Sequence, residues 1–483
     1  MRHIFIMVMV IGMVFCGSLV AQEEGEAQPQ SEPRRLSQDE AVDLALKNNL
    51  SLESARVATN TKRRASDLSW NQFIPSVTAG GSLILDNEKT TATGMVPVDL
   101  ASIMPLVPPN TLYGVVPYSV EASQWHVAGQ IQVSLNVSIA MFENMRRLRL
   151  DYEGGTITFD KAKLQLERDV RKAYNTMLLL QENINLMKEN FEAAQRRVEL
   201  ARANYRAGLA PELTLLQAQV AMENMRPAID QVENGFRLAM AQFAMFLGLP
   251  YDTPFELPPV ETETDFIPLD LRDLISRASS GKPDIQELRQ TILMLQSARK
   301  AQVFSLLPTL SLSWNVTSAF IKDPWKDPWF DSKDDWRNSG GLTIALGIRL
   351  HSILPFSMDF QGIRNLDDQI RTANIGLAQM IQGTEIEIYN TILSLEKTQA
   401  TTEAQTQTVD LAERAYRLTE QAYRSGLQDL LQVQNAELEL KQAKVSMLEQ
   451  QFNYLNGLLD LEYAIGVPFG TLRSVNNVDK NDE

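Results

Sequence analysis

Residues 130–139 alternate without a lapse: Ile131, Val133, Leu135, Val137 and Ile139 are apolar, and Gln130, Gln132, Ser134, Asn136 and Ser138 are polar. Successive side chains of a strand point to opposite faces, so this run predicts a strand with one greasy face. The same period of two returns at Leu310, Leu312, Trp314 and Val316, at Leu342, Ile344, Leu346, Ile348 and Leu350, and more weakly at Val77, Ala79, Gly81, Leu83 and Leu85. Strands are therefore expected over about 75–86, 127–141, 308–320 and 340–352. The alternating run within each has roughly the 9–11 residues that a tilted strand needs to cross a bilayer.

Elsewhere the period lengthens. Val170, Tyr174, Met177, Gln181, Ile184, Met187, Phe191, Ala194, Val198, Ala201 and Tyr205 follow a mean spacing of 3.5, the coiled-coil repeat. They lie in a proline-free stretch from Met145 to Ala207, which as one helix is about 90 Å long. A partner over Glu212 to Leu247 must turn back at Gly208, and Pro227 inside it predicts a kink. A second hairpin is expected over 360–465; its outgoing helix is polar on all sides around Thr401 to Thr408, as a helix facing a water-filled lumen would be.

The chain is written twice. Tyr205-Arg206-Ala207-Gly208-Leu209 returns as Tyr423-Arg424-Ser425-Gly426-Leu427, and Leu247-Gly248-Leu249-Pro250 as Ile465-Gly466-Val467-Pro468, both at an offset of 218. Leu52, Ala65 and Phe73-Ile74-Pro75 match Ile285, Ala298 and Leu306-Leu307-Pro308 at an offset of 233, so the first copy has the longer insert after Pro75. Each half reads as helix, strand, long loop, strand, long helix, turn, long helix. The first repeat spans 22–256, the second 257–470, and 471–483 is a polar tail. Ser37 with Glu40 forms a capping box at the first helix; Gly281-Lys282-Pro283 breaks the corresponding stretch of the second half.

Alternation alone also suits a soluble sandwich. Two features favour lipid. The strand pairs are joined by long polar or proline-rich segments, Asp86 to Trp125 and Lys322 to Gly340, which suit external loops, and only long helices remain to pack against the strands. Four strands cannot close in hydrocarbon, where an unpaired edge costs several kcal/mol per backbone group, so copies must share a barrel. Three copies give a conducting width, whereas eight strands fill their own interior.

Composition narrows the picture further. A formal charge of -15 excludes a nucleic-acid surface. Arg2, the apolar run Ile4 to Phe15 and the small-residue exit at Ala21 read as a signal peptide over 1–21, and that run is too short to span a membrane. Cys16, the single cysteine, lies where a lipoprotein signal would place an acylated residue, and without it the mature chain has no thiol chemistry. No catalytic constellation, metal-ligand spacing or phosphate-cradling loop occurs, so no enzyme, cofactor or metal site is expected. His126 and His351 flank strands and are expected at a barrel rim or lumen.

Together these features resemble the TolC family of outer-membrane efflux proteins from Leu36 to about Pro468, most specifically in the two tip motifs and the Gly-x-Pro endings. The resemblance implies an α+β membrane protein: a homotrimer with a twelve-stranded outer-membrane β-barrel continued by a tunnel of long α-helical hairpins into the periplasm. It implies a passive exit duct for efflux or type I secretion, served by a periplasmic adaptor and an inner-membrane pump. In that picture Tyr205, Arg206, Gly208, Leu209, Tyr423, Arg424, Gly426 and Leu427 form the periplasmic tip and adaptor dock. Relatives carry an acidic ring at the pore entrance; here the positions are Gln432 and Asn435, with Asp429 nearby. The competing expectation is a periplasmic coiled-coil scaffold or surface binding protein without channel activity.

Overall fold

The computed structural model describes residues 34–87, 91–99, 113–121, 124–258, 266, 269–320, 322–329, 331–332 and 335–472. The expected signal peptide with Cys16, part of the link between the halves and the tail beyond 472 lie outside the described residues.

The chain is mostly helical. Two short helices, α1 (Gln38–Asn48) and α2 (Leu50–Asp67), lead to strand β2 (Ser76–Leu85), and β5 (Trp125–Val137) leads into α3 (Ala140–Arg206) and α4 (Glu212–Phe246). The second half runs α5 (Leu271–Gly281), α6 (Pro283–Phe304), β7 (Thr309–Phe320), β8 (Trp336–Gly347), α7 (Met358–Arg424) and α8 (Leu430–Ile465). Short strands β1 (Arg34–Arg35) and β6 (Phe255–Glu256) pair in parallel and tie the start of the described chain to the end of the first half.

Local chemistry sets these boundaries. Ser37 and Glu40 make the expected capping box, and Asn49 accepts from the amides of Ser51 and Leu52 to start α2. Asp270, Ser357 and Asp429 cap α5, α7 and α8 in the same way, while Pro283 opens α6, where its missing N–H costs nothing. α3 and α7 each have 67 residues, about 100 Å of helix. α4 runs through Pro227 without a break in its assignment.

The helices that follow the strands form a layer. Near the sheet the order is α2, α3, α6, α7; further away it is α4, α3, α8, α7. One core gathers Val42, Val170, Tyr174, Phe243 and Leu247, and a second gathers Ile388, Leu395, Tyr454, Leu458 and Leu461. Tyr174 donates to the carbonyl of Leu36 at 2.9 Å, and burial pushes its phenol up to about 12.

Between β2 and β5 the structure departs from the expected loop. β3 (Thr91–Asp99) and β4 (Tyr113–Glu121) pair as an antiparallel hairpin. Pro97 and Pro117 hid it in the sequence, yet each strand here has one neighbour among the described residues, and an edge strand tolerates a missing N–H. At its base the amide of Asp86 donates to Gln124 O at 2.8 Å, and His126 Nε2 lies 2.8 Å from Asp86 Oδ2.

Candidate functional site

The four main strands form one antiparallel sheet in the order β2, β5, β7, β8. Directly opposed residues share a face, and the register lines up the apolar positions. Val77, Val133, Trp314 and Leu342 make one cross-strand row; Leu135, Leu312 and Ile344 make the next, and Val137, Leu310 and Leu346 the one after. The opposite face carries Ser76, Ser134, Ser313 and Thr343, then Thr78, Gln132, Asn315 and Gly341. One surface is a largely apolar wall, crossed by the row Gly81, Gly129, Ser318 and Asn338, and the other is mostly hydroxyls, amides and small residues.

Neither surface is covered by the described residues. Val77 is 67% exposed, Leu342 66% and Leu346 74%, where a folded core would leave almost nothing. An exposed apolar area of this extent marks a lipid or protein contact. β5 has 13 residues, about 40 Å of strand, which at a tilt near 40° stands about 30 Å high, the thickness of a bilayer's hydrocarbon. Rings mark both ends of the sheet. Trp125 meets Trp325 edge-on at 5.5 Å, and Phe320, Trp329 and Trp336 cluster at 5.4–6.5 Å; at the helical end Phe73 lies 5.5 Å from Phe142. Trp325 and Trp329 thus belong to a folded turn between β7 and β8, while Trp336 begins β8 itself.

β2 and β8 each pair on one side only among the described residues. Their outer N–H and C=O groups, beside an apolar face, form open edges available for pairing.

At the far end of the helices the tip motifs are two near-identical turns. Gly208 and Gly426 both adopt φ +74. The Gly208 amide donates to Tyr205 O and Leu209 to Asn204 O, and Gly426 and Leu427 donate likewise to Tyr423 O and Ala422 O. This is the Schellman closure, which needs a left-handed residue after the helix. Leu209 and Leu427 are both 78% exposed, Tyr205 and Arg206 are exposed, and Arg424 pairs with Glu420 at 2.8 Å. Of the expected entrance residues, Asp429 accepts from the amide of Gln432 at 3.0 Å, and Gln432 and Asn435 are exposed one turn further along α8.

The sequence reading passed over a neighbouring pair. Arg197 on α3 and Glu437 on α8 form an ion pair with side chains only 7% and 13% exposed, beside a cavity of about 310 Å³ also lined by Asn190, Gln434 and Lys441. Arg197 Nη1 and Glu437 Oε1 have no hydrogen-bond partner among the described residues. Burial pushes the Glu437 carboxyl up, against the pull of Arg197. A charge beside the core position Val198 was the available signal.

Residues 41–249 match the model of the outer membrane efflux protein family. That match covers a little less than half of the chain. The chain is 26% identical over 254 residues to the fusaric acid resistance protein FusA of Burkholderia cepacia, covering 50% of this chain and 45% of that one. It is 21% identical over 314 residues to the pyoverdine export outer membrane protein OpmQ of Pseudomonas aeruginosa, covering 64% and 63%. The match thus spans less than two thirds of either relative. The fold is similar to the solved CmeC outer membrane channel of Campylobacter jejuni, with a TM-score of 0.66 at 14% identity over 97% of this chain and 98% of that one.

Proposed function

We propose that this chain is an outer-membrane efflux protein acting as a passive exit duct: three copies close their sheets into a twelve-stranded barrel through the outer membrane, and their helices continue it as a tunnel into the periplasm. The observation that carries this is the open sheet. A bilayer-high apolar face lies between two unpaired edges, so the molecule is incomplete as a monomer in lipid. In a closed ring the apolar face turns to lipid and the hydroxyl and amide face lines the water.

The outer helices of the layer support the same assembly. α4 leaves Leu213, Val220 and Leu238 exposed, and α7 leaves Ile386, Leu411 and Leu418 exposed, on the two margins that neighbouring copies would cover. The tip turns, with Tyr205, Arg206, Leu209, Tyr423, Arg424 and Leu427, are the surface a periplasmic adaptor would grip, and an inner-membrane pump would supply the energy. Nothing in this role calls for catalysis. FusA and OpmQ are named for fusaric acid and pyoverdine, which supports a small organic solute as the cargo.

Planar-bilayer recording of the purified, detergent-extracted protein tests this. Stepwise conductance from a trimer is expected, and a freely soluble, non-conducting monomer would return the chain to the scaffold alternative.

A further inference from the structure

The four junctions between sheet and helices share a pattern that the duct does not require. Each shows large exposed apolar side chains: Trp70 and Ile74 before β2, Ile139 and Phe142 after β5, Leu307 before β7, and Phe356 and Met358 after β8. Trp70 is 52% exposed, Phe142 60% and Met358 89%, so together they make a collar just beyond the apolar wall.

Directly behind that collar the charge changes sign. Segments 62–72, 139–150, 299–308 and 348–364 hold ten basic and three acidic residues, in a chain of formal charge -15. The opposite end of the sheet is acidic: the described residues of 86–124 and 321–335 include seven acidic and two basic ones. The basic side chains lie close to the collar in the chain. Arg146 and Arg149 follow Phe142 at i+4 and i+7 on one face of α3, Arg63 lies seven residues before Trp70, and Lys300 seven residues before Leu307. The Arg364 guanidinium lies 5.2 Å from the Phe360 ring.

Two of the ten pair with carboxylates just outside these segments, Lys62 with Asp151 at 3.0 Å and Arg299 with Asp367, and the others are held loosely or not at all among the described residues. Arg63 reaches Asp67 at 3.6 Å and Arg146 reaches Glu143 at 3.8 Å, both loose, exposed contacts on the arginine side. Arg149, Lys300 and Arg364 are exposed and hold no ion pair among the described residues. An apolar ring backed by cations one to two turns away matches the acyl boundary and phosphate layer of an anionic leaflet.

We propose that this collar seats on anionic phospholipid headgroups of the leaflet nearest the helices, with Arg63, Arg146, Arg149, Lys300 and Arg364 on the phosphates. The inference rests on the duct reading. It adds a lipid partner and fixes how deep the barrel sits, because the phosphates hold one plane of the molecule and the acidic end faces away.

The test reconstitutes the full chain in phosphatidylcholine vesicles carrying spin-labelled phosphatidylglycerol or spin-labelled phosphatidylcholine, and compares the motionally restricted fraction of each. The wild type is expected to enrich phosphatidylglycerol at least about fivefold, the factor one basic side chain contributes near an anionic surface. Arg146→Gln/Arg149→Gln/Arg364→Gln should bring that ratio near one, lysine at the same positions should preserve most of it, and Asp323→Asn/Asp327→Asn at the other end should leave it unchanged. A conducting wild type without lipid preference, or a preference that survives the glutamine triple, overturns the collar alone. A chain that stays out of the bilayer overturns the duct and the collar together.

Discussion

Replacing Arg197 by leucine removes the ion-pair partner of the Glu437 carboxylate and leaves it facing a cavity whose remaining cation, Lys441, makes no ion pair with it. Removing one partner of a buried ion pair costs about 3–5 kcal/mol, because the remaining charge stays desolvated. Arg197 Nη1 and Glu437 Oε1 already lack partners, so the existing pair is incompletely satisfied and the lower figure, about 3 kcal/mol, applies. Amide hydrogen exchange reads this locally. Amides around Val198 and Ala201 on α3, both buried, should lose roughly a hundredfold in protection in Arg197→Leu, and Glu437→Leu should do the same. The double variant Arg197→Leu/Glu437→Leu should recover most of the loss, since two apolar side chains replace a pair whose attraction barely offsets its desolvation. The pH dependence follows with a definite sign. Glu437 titrates above its ordinary 4.5 in the folded chain, so its contribution is fully present below that value and is lost as pH rises through the raised one. Glu437→Gln should abolish that slope. Unchanged protection in both single variants, or a double variant as open as the sum of the two, would refute the assignment.

The four glycines that end the long helices separate into two classes. A Cβ at Gly208 or Gly426 meets nothing within 4 Å, so alanine there carries only the left-handed backbone penalty, about 1–2 kcal/mol. At Gly248 it would lie 2.3 Å from Asn48 O and at Gly466 2.4 Å from Gly281 O, so Gly248→Ala or Gly466→Ala should lower the thermal midpoint much further than Gly426→Ala, measured by circular dichroism. Ile344→Arg, in the middle of the apolar wall, should cost about 2–4 kcal/mol of insertion and shift the protein out of the membrane fraction, whereas Thr343→Arg on the opposite face should insert and alter conductance.

The sheet was legible because a face between lipid and water imposes the period of two on every residue, and Gln130 to Val137 obey it without exception. Alternation says nothing about where the backbone leaves the sheet. Ile139 and Ile348 continue the pattern, but β5 stops at Val137 and β8 at Gly347, because helix α3 and a tight 3-10 turn at Leu350–Ile353 follow. Those residues remain apolar because they lie in the collar. The hairpin β3–β4 was lost behind its prolines. The tip glycines were found through repetition, yet the tight contacts of Gly248 and Gly466 with Asn48 and Gly281 were not, since each joins residues about 200 positions apart. Arg197 and Glu437 are 240 positions apart, and no local pattern announces such a pair.

The strand count itself has a consequence. With four antiparallel strands per chain, β2 and β8 run in opposite directions at the two margins. Any ring of identical copies therefore meets antiparallel at every seam, and the closing bond pattern is the same as that inside each subunit. An odd count would reverse this parity and force a parallel joint once per copy. Gain or loss of a single strand by such a chain would thus alter every seam of the ring at once, whereas insertion of a whole hairpin would leave the joints unchanged and only widen the bore.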